Sequence, residues 1–246
     1  MNTLVLNTKN EFYKLMSKKK YFVVLIIAVI ICVGRFGGGM LIAKLSGGRM
    51  VIKTNMLLEM LPMCTDIFAP LAIFMAVTDL FASEIQEDTM KSSLLKPVSR
   101  FKALTSKALA AFWMSVIYFT VLFAACMVLQ IVSKSPFGIF HSLAAYAIDL
   151  IPLFALIFMA VLINLISKSS SLAMLLCIAV YALFKYMNYF VSGIGALVFT
   201  AYSQWHKLWL GVQLPFRTAV PKVGILFGSI LILYVLSYII FDKKDF

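Results

Sequence analysis

Six long apolar runs, separated by charged or broken segments, dominate this sequence of 246 residues. A helix needs about 20 residues to cross the hydrocarbon layer of a bilayer, and each run can supply most or all of them. Backbone groups inside lipid must be bonded within the protein, and runs of this length favour helices over barrel strands. We therefore predict an all-α membrane protein, with residues 1–246 forming a single transmembrane domain. The six predicted transmembrane helices cover about residues 21–42, 56–81, 108–132, 137–166, 171–190 and 223–241, and Pro152 predicts a kink in the fourth.

The composition agrees with a bilayer as the solvent. Hydrophobic residues make up 63% of the chain and charged residues only 13%, whereas soluble domains carry about 25% charged residues. This excludes a water-soluble domain of this size. The net charge of +12 fits cytoplasmic loops and lipid head groups, so we expect the lipid bilayer as a partner and no nucleic acid.

The distribution of basic residues predicts the orientation. With the N-terminus inside, 13 of the 22 Lys and Arg residues fall on the cytoplasmic side and 9 outside. Lys18, Lys19 and Lys20 directly precede the first span, where charge has most influence on topology. We expect a multi-pass protein of a bacterial cell membrane with both termini in the cytoplasm.

Two segments outside the spans have their own patterns. Phe12, Leu15 and Met16 follow a helical spacing among lysines, which predicts an N-terminal interfacial helix; a solvated basic tail is the alternative. About 35 residues between the fifth and sixth spans are rich in aromatic residues and interrupted by Gly and Pro. Aromatic residues favour the membrane boundary, so we predict short re-entrant or interfacial helices on the outer face.

The sequence offers no catalytic arrangement. It contains neither G-x-x-x-x-G-K-[ST] nor G-x-G-x-x-G, and its two histidines, His141 and His206, have no partner motif. The four cysteines lie in apolar runs without metal-ligand spacing, which is typical of small core residues. We expect no enzymatic activity, no catalytic residue, and no metal or cofactor bound by this chain.

The connection after the second span is the most informative segment. Ser83 and Gln86 have capping-box spacing, Glu87 precedes Lys91 by four residues, and Pro97 would end the helix. Ser99 is placed to cap the next helix. These residues predict a short charged helix at the membrane surface, which suits either docking to a cytoplasmic partner or a solvated loop.

Residues 81–100 resemble the cytoplasmic loop of the ABC-2 type transporter permeases. The resemblance rests on the acid after the second span, the pair Leu94 and Leu95, and the run Pro-Val-Ser-Arg at 97–100. The ending Phe-Asp-Lys-Lys-Asp at 241–245 is similar to the family's basic tail, and Asp88 stands where glycine is common in the family. Six spans and an interfacial N-terminal helix fit the same family.

This resemblance implies a permease subunit of an exporter. ATP and Mg would be bound by a separate ATP-binding cassette ATPase, and a second permease subunit, identical or different, would complete a dimer. The loop would then be a coupling helix that contacts the ATPase, and the second and fifth spans would line the dimer interface and pathway. The expected coupling residues are Glu84, Glu87, Lys91, Leu94, Pro97 and Arg100. Among permeases, the compact size resembles those of peptide-antibiotic immunity or export, so an amphipathic antimicrobial peptide is the expected cargo, with sodium as the alternative.

Acids within spans are costly and therefore candidates for function. Glu59 and Asp66 lie seven residues apart, nearly on one helical face, and Asp149 lies in the fourth span. We expect these three to be candidates for the translocation pathway. An ion-coupled secondary transporter would use such acids without any ATPase, and a non-transporting scaffold would use only the charged loop helix.

Overall fold

The computed structural model describes residues 3–45, 55–90, 99–133, 138–190, 197–210 and 216–244, and every element in these ranges is helical. The α-helices are α1 (Thr3–Met16), α2 (Lys19–Leu45), α3 (Met56–Met63), α4 (Ala69–Leu80), α5 (Ala82–Gln86), α6 (Arg100–Val132), α7 (Ile139–Ile148), α8 (Leu153–Ile166), α9 (Ser170–Phe190), α10 (His206–Trp209) and α11 (Phe216–Lys243). A π-helix at Cys64–Phe68 joins α3 to α4, and a 3₁₀ helix at Phe199–Tyr202 precedes α10.

Six of these helical segments are long and apolar enough to cross a membrane, which confirms the predicted number. They are Lys19–Leu41, Met56–Gln86, Arg100–Val132, Ile139–Ile166, Ser170–Met187 and Arg217–Lys243. The third span begins eight residues earlier than predicted, because the Ser99 side chain accepts a hydrogen bond from the Lys102 amide and caps the helix there. The predicted cap at Ser99 is thus confirmed.

Two spans are interrupted near proline. The fourth span breaks between Ile148 and Leu153, next to Pro152, where a kink was predicted. The second span contains Pro62 followed by the π-helix. Proline has no N–H to donate to the preceding turn, and π segments often mark functional positions. Asp66 lies within this π segment.

Long-range hydrogen bonds show which helix ends lie together. Ser170 donates to Gln86, and the Arg100 guanidinium donates to the carbonyls of Phe241 and Lys244. We call this end, where Gln86, Arg100, Ser170 and Lys243 lie, the near end. The opposite end, which holds Leu41, Met56, Val132, Met187 and Arg217, is the far end. There the Met56 amide donates to Gln130 of α6 at 2.8 Å.

The second span forms the centre of the bundle. Its most apolar window is 67% buried, against 11% for the windows of the first and sixth spans. The α4 helix packs against α6, α8 and α9, and its residues Ala69, Ala72, Ile73 and Ala76 are fully enclosed. All four cysteines are free and buried, as predicted. The first and sixth spans therefore present most of their apolar surface outward.

The predicted N-terminal helix exists as α1 and packs along α6. Leu15 is fully buried, while Phe12 and Met16 are partly buried against the core. The predicted Ser83 cap is wrong. The helix α5 begins at Ala82 with Phe81 as its N-cap residue and no side-chain cap bond, so Ser83 lies inside it. The apolar second span continues directly into α5, which leaves no exposed helix start for Ser83 to cap.

Candidate functional site

A cluster of four charged side chains joins three elements at the near end. Glu84 of α5 accepts hydrogen bonds from Lys107 of α6 at 2.8 Å and from Lys14 of α1. Lys107 also donates to Glu11 of α1 at 3.2 Å. The side chains of Glu84 and Lys107 are only 3% and 2% exposed. We call Glu11, Lys14, Glu84 and Lys107 the near-end cluster.

The charges of the near-end cluster are buried, so each of them needs a partner. An isolated buried charge pays a large desolvation penalty, which is offset only when the charge is paired and hydrogen-bonded. Burial alone would lower the pKa of Lys14, but the hydrogen bond and charge of Glu84 outweigh this effect and raise it. A raised lysine pKa means that this pairing stabilises the fold fully below pH 10.5 and is lost as the pH rises through the higher value.

Asp79, near the end of α4, binds side chains at the start of the first span. Its carboxylate, 7% exposed, lies 3.1 Å from Lys18 and 2.7 Å from Lys20. The Tyr21 hydroxyl donates to the same carboxylate at 2.7 Å. The lysines at the start of the first span therefore neutralise an acid of the second span, and they join the beginning of α2 to α4.

The chain between α5 and α6 begins with an exposed polar tip. Gln86, Glu87, Asp88 and Thr89 are exposed, and the Gln86 side chain accepts bonds from the Ser170 amide and hydroxyl, both at 3.0 Å. Asp88 has a φ of 54°, a left-handed conformation that glycine, Asn and Asp adopt most readily. An aspartate can therefore occupy this left-handed position. We call residues 86–89 the exposed tip.

A second polar cluster lies towards the far end, around Asp66. Its carboxylate accepts hydrogen bonds from Lys185 of α9 at 2.6 Å and from Gln204 at 3.1 Å. The Lys185 ammonium also donates to Ser203 at 2.8 Å, and the Tyr181 hydroxyl donates to the Asp66 carbonyl at 3.0 Å. The π-helix of the second span is thereby attached to the fifth span and to the segment that follows it.

The other two intramembrane acids are paired separately. Glu59 lies 2.9 Å from the guanidinium of Arg35 on α2. Asp149 is fully buried at the break in the fourth span, and it accepts a 2.6 Å bond from the His206 amide. Its other oxygen lies 2.7 Å from His206 Nδ1. Glu59 and Asp66 thus pair with different spans, and Pro62 and the π turn interrupt the continuous helix on which a common face was expected.

An open groove of about 820 Å³ runs between the second and fifth spans on the near-end side. Met75 and Thr78 line one wall, and Met174, Leu175 and Ile178 line the other. The Thr78 hydroxyl oxygen is buried without a hydrogen-bond partner among the described residues. Lys20, Asp79 and Ser83 give the groove a polar border. The groove is therefore amphipathic.

Of the expected coupling residues, the structure describes Glu84, Glu87 and Arg100, whereas Lys91, Leu94 and Pro97 lie outside the described residues. Glu84 is buried in the near-end cluster, Glu87 is exposed, and Arg100 binds the carbonyl end of α11. Sequence reasoning missed the roles of Lys107, Lys185 and His206. A lysine within a predicted span was the available signal for Lys185, because such a residue needs a partner.

A comparison with protein-family models decides the class. Residues 9–203 match the model described as "ABC-2 family transporter protein". The chain belongs to this family. A comparison with curated proteins gives no match. Since the matched residues include the first five spans and the connection 81–100, the ABC-2 resemblance of the sequence is confirmed at the level of the family.

As an ABC-2 family protein, the chain is a membrane permease component of a transporter. Such a component is typically the non-catalytic transmembrane subunit, and family membership implies association with ABC ATPase subunits. This assignment favours the permease over the ion-coupled transporter and the scaffold. Since the family associates with ABC ATPase subunits, the near end becomes a candidate for that contact.

Proposed function

We propose that this ABC-2 permease exports an amphipathic substrate, such as an antimicrobial peptide, when a separate ATPase hydrolyses MgATP at the near end. In this proposal the near end faces the cytoplasm, and a second permease subunit packs beside the first. The observation that carries the proposal is the near-end cluster. It connects the segment next to the exposed tip with the N-terminal helix and the third span through buried ion pairs.

The exposed tip and the near-end cluster would divide the coupling between them. Glu87 is exposed and can meet a partner surface, whereas Glu84, three residues earlier, is enclosed. A displacement of the exposed tip would move Glu84. Its ion pairs would then move Lys14 of α1 and Lys107 of α6. Arg100 would carry the same displacement to the end of the sixth span. Lys91, Leu94 and Pro97 complete the proposed coupling segment.

The groove between the second and fifth spans would receive the cargo. Its apolar walls suit the apolar face of an amphipathic molecule, and methionine side chains adapt to varied shapes. Glu59 and Asp66 are 32% and 23% exposed and remain candidates for pathway contacts. Asp149 is enclosed by His206, so we assign it a positioning role. Both half-buried acids are already paired with a basic side chain, which favours an amphipathic cargo over sodium.

The test is co-purification of the ATPase with the tagged chain in mild detergent. We expect Glu87→Lys to abolish recovery of an ATP-binding subunit and of vanadate-sensitive ATP hydrolysis, because it reverses the charge on the exposed tip. The matched control is Asp242→Lys, which makes the same charge change at another exposed near-end acid. It should leave recovery unchanged.

Two results would contradict the proposal. If Glu87→Lys and Asp242→Lys retain the ATPase equally, the exposed tip is not the docking surface. If the wild-type chain purifies without any ATPase from its native membrane, the exporter assignment fails and Asp66→Asn becomes the next variant for transport assays. A second permease in the purified complex would identify a heterodimer.

A further inference from the structure

The far end carries basic charge that its own acids do not balance. Among the described residues its acids are Glu59, Asp66 and Asp149, and its basic residues are Arg35, Lys44, Lys185, Lys207, Arg217 and Lys222. Each of these acids is already paired, with Arg35, Lys185 and His206 respectively. The sequence from 150 to 241 contains five basic residues and no acid. Basic residues without acidic partners at a membrane surface are attracted to anionic lipid.

Three of the far-end lysines converge on one cavity. It has a volume of about 340 Å³ and is lined by Lys185, Lys207 and Lys222 together with Ser203 and Gln204. Asp66 neutralises Lys185. Among the described residues neither Lys207 nor Lys222 has an ion pair, and the segments 191–196 and 211–215 contain no acid that could supply one. Two uncompensated ammonium groups therefore face one cavity.

The polar groups of the cavity are suited to an anion. Ser203 Oγ accepts from Lys185, which leaves its O–H available to a ligand oxygen. Gln204 uses one amide hydrogen on Asp66 and retains a second. Lysine is a common phosphate ligand because its ammonium acts as a point charge with three donors. A phosphate group would thus meet two positive charges and further donors.

The surroundings of the cavity indicate a lipid as the source of that phosphate. Trp205 and Trp209 lie in the same segment, and Trp209 is 54% exposed; Trp and Tyr gather where a membrane meets water. The neighbouring helices expose apolar side chains, including Leu183 and Tyr186 on α9 and Val220 on α11. Acyl chains could lie against these side chains while the head group occupies the cavity.

We propose that the cavity lined by Lys185, Lys207 and Lys222 binds the phosphate head group of an anionic phospholipid. The site would balance the far-end charge and hold the segment 199–209 at the membrane boundary. It requires only that the chain spans a membrane, and it is independent of the ATPase and of the cargo. Its failure and the failure of the proposed function are therefore separate results.

The test is native mass spectrometry of the purified full chain, titrated with phosphatidylglycerol or phosphatidylcholine. We expect phosphatidylglycerol to bind more tightly, and the double variant Lys207→Gln/Lys222→Gln to weaken it about 30-fold, since each lysine near anionic lipid contributes about fivefold. The matched control Lys44→Gln/Arg217→Gln removes two exposed far-end charges outside the cavity. It should change the affinity less than about threefold.

A double variant that keeps both charges controls for misfolding. Lys207→Arg/Lys222→Arg keeps both charges and should keep preferential binding. Displacement of the lipid by inorganic phosphate would support a site that takes any phosphate group, and resistance to it would support a site that needs the whole lipid. Equal binding of the two lipids, equal losses in the two Gln variants, or loss of binding in the Arg variant would overturn the proposal.

Discussion

Lys107 illustrates how a single charge can be retained inside an apolar bundle. Its side chain is 2% exposed, yet its ammonium meets Glu84 at 2.8 Å and Glu11 at 3.2 Å. Two carboxylates satisfy a group that would otherwise be too costly to bury. The arrangement is reciprocal, since Glu84 also holds Lys14. The pair Glu84 and Lys107 therefore links the other two members of the near-end cluster.

Removing one member should leave a buried charge without a full partner. We expect Lys107→Met to lower the free energy of unfolding by about 3 kcal/mol, the lower end of the range for broken buried pairs, since Lys14 still serves Glu84. Unfolding of the purified chain in mild detergent measures the loss. The control Lys102→Met, on the same helix, removes only a 3.3 Å bond to the Thr3 hydroxyl and should cost less.

The double variant Glu84→Gln/Lys107→Met separates pairing from packing. It should be less destabilised than the sum of the two single variants, because both charges are gone together. Strict additivity would mean that the two side chains contribute independently and that the near-end cluster does not act as a unit.

At the scale of elements, the fourth span is joined to the short helix before the last span. Asp149 lies at the break between α7 and α8, and it binds both the amide and the ring of His206, the first residue of α10. A helix of four residues cannot hold itself together in isolation. Its position thus depends on the Asp149 contact and on the aromatic packing of Trp205 with Tyr202 and Trp209.

This dependence predicts a local effect of His206→Ala. Loss of a buried bond to a charged group should speed amide hydrogen exchange across 199–209 by about tenfold or more, while α6 stays protected. The control His141→Ala changes an exposed histidine on α7 and should leave this exchange unchanged. Unaltered exchange in His206→Ala would show that aromatic packing alone holds the segment.

Much of the element pattern could be predicted from the sequence, for reasons visible in particular residues. Ser99 could be assigned as a cap and Pro152 as a kink because both act on neighbouring backbone. The cap predicted at Ser83 was wrong because Ser83 lies inside α5 and not at a helix start. The partners of Asp66 and Asp149 could not be predicted, since Lys185 and His206 are far away in the chain and only the packing of the spans brings them together.

At the scale of the whole molecule, the two ends differ in how their charges are arranged. The near end buries opposite charges against each other, whereas the far end exposes basic groups such as Lys44 and Arg217. The expected orientation places the near end in the cytoplasm. If it were reversed, the far-end lysines would face the cytoplasmic leaflet, and the exposed tip could not reach a cytoplasmic ATPase.

Labelling of introduced cysteines tests this orientation, because the four native thiols are buried. In intact cells expressing the chain, a membrane-impermeant maleimide should label Lys44→Cys at the far end. Lys9→Cys on α1 should react only after the membrane is permeabilised, and the wild-type chain should stay unlabelled. Labelling of Lys9→Cys in intact cells would reverse the assignment.

The distance in sequence between paired charges has a consequence for how the chain is made. Asp79 and Glu84 of the second span are synthesised after their basic partners. Lys14, Lys18 and Lys20 are therefore already present when the two acids emerge. Asp66 instead pairs with Lys185, 119 residues later, a delay on the order of ten seconds at ordinary ribosome speeds. During that interval the Asp66 side chain lacks its partner, and a span with an unpaired acid is costly to expose to lipid. Release of the second span into lipid is thus tied to the arrival of the fifth.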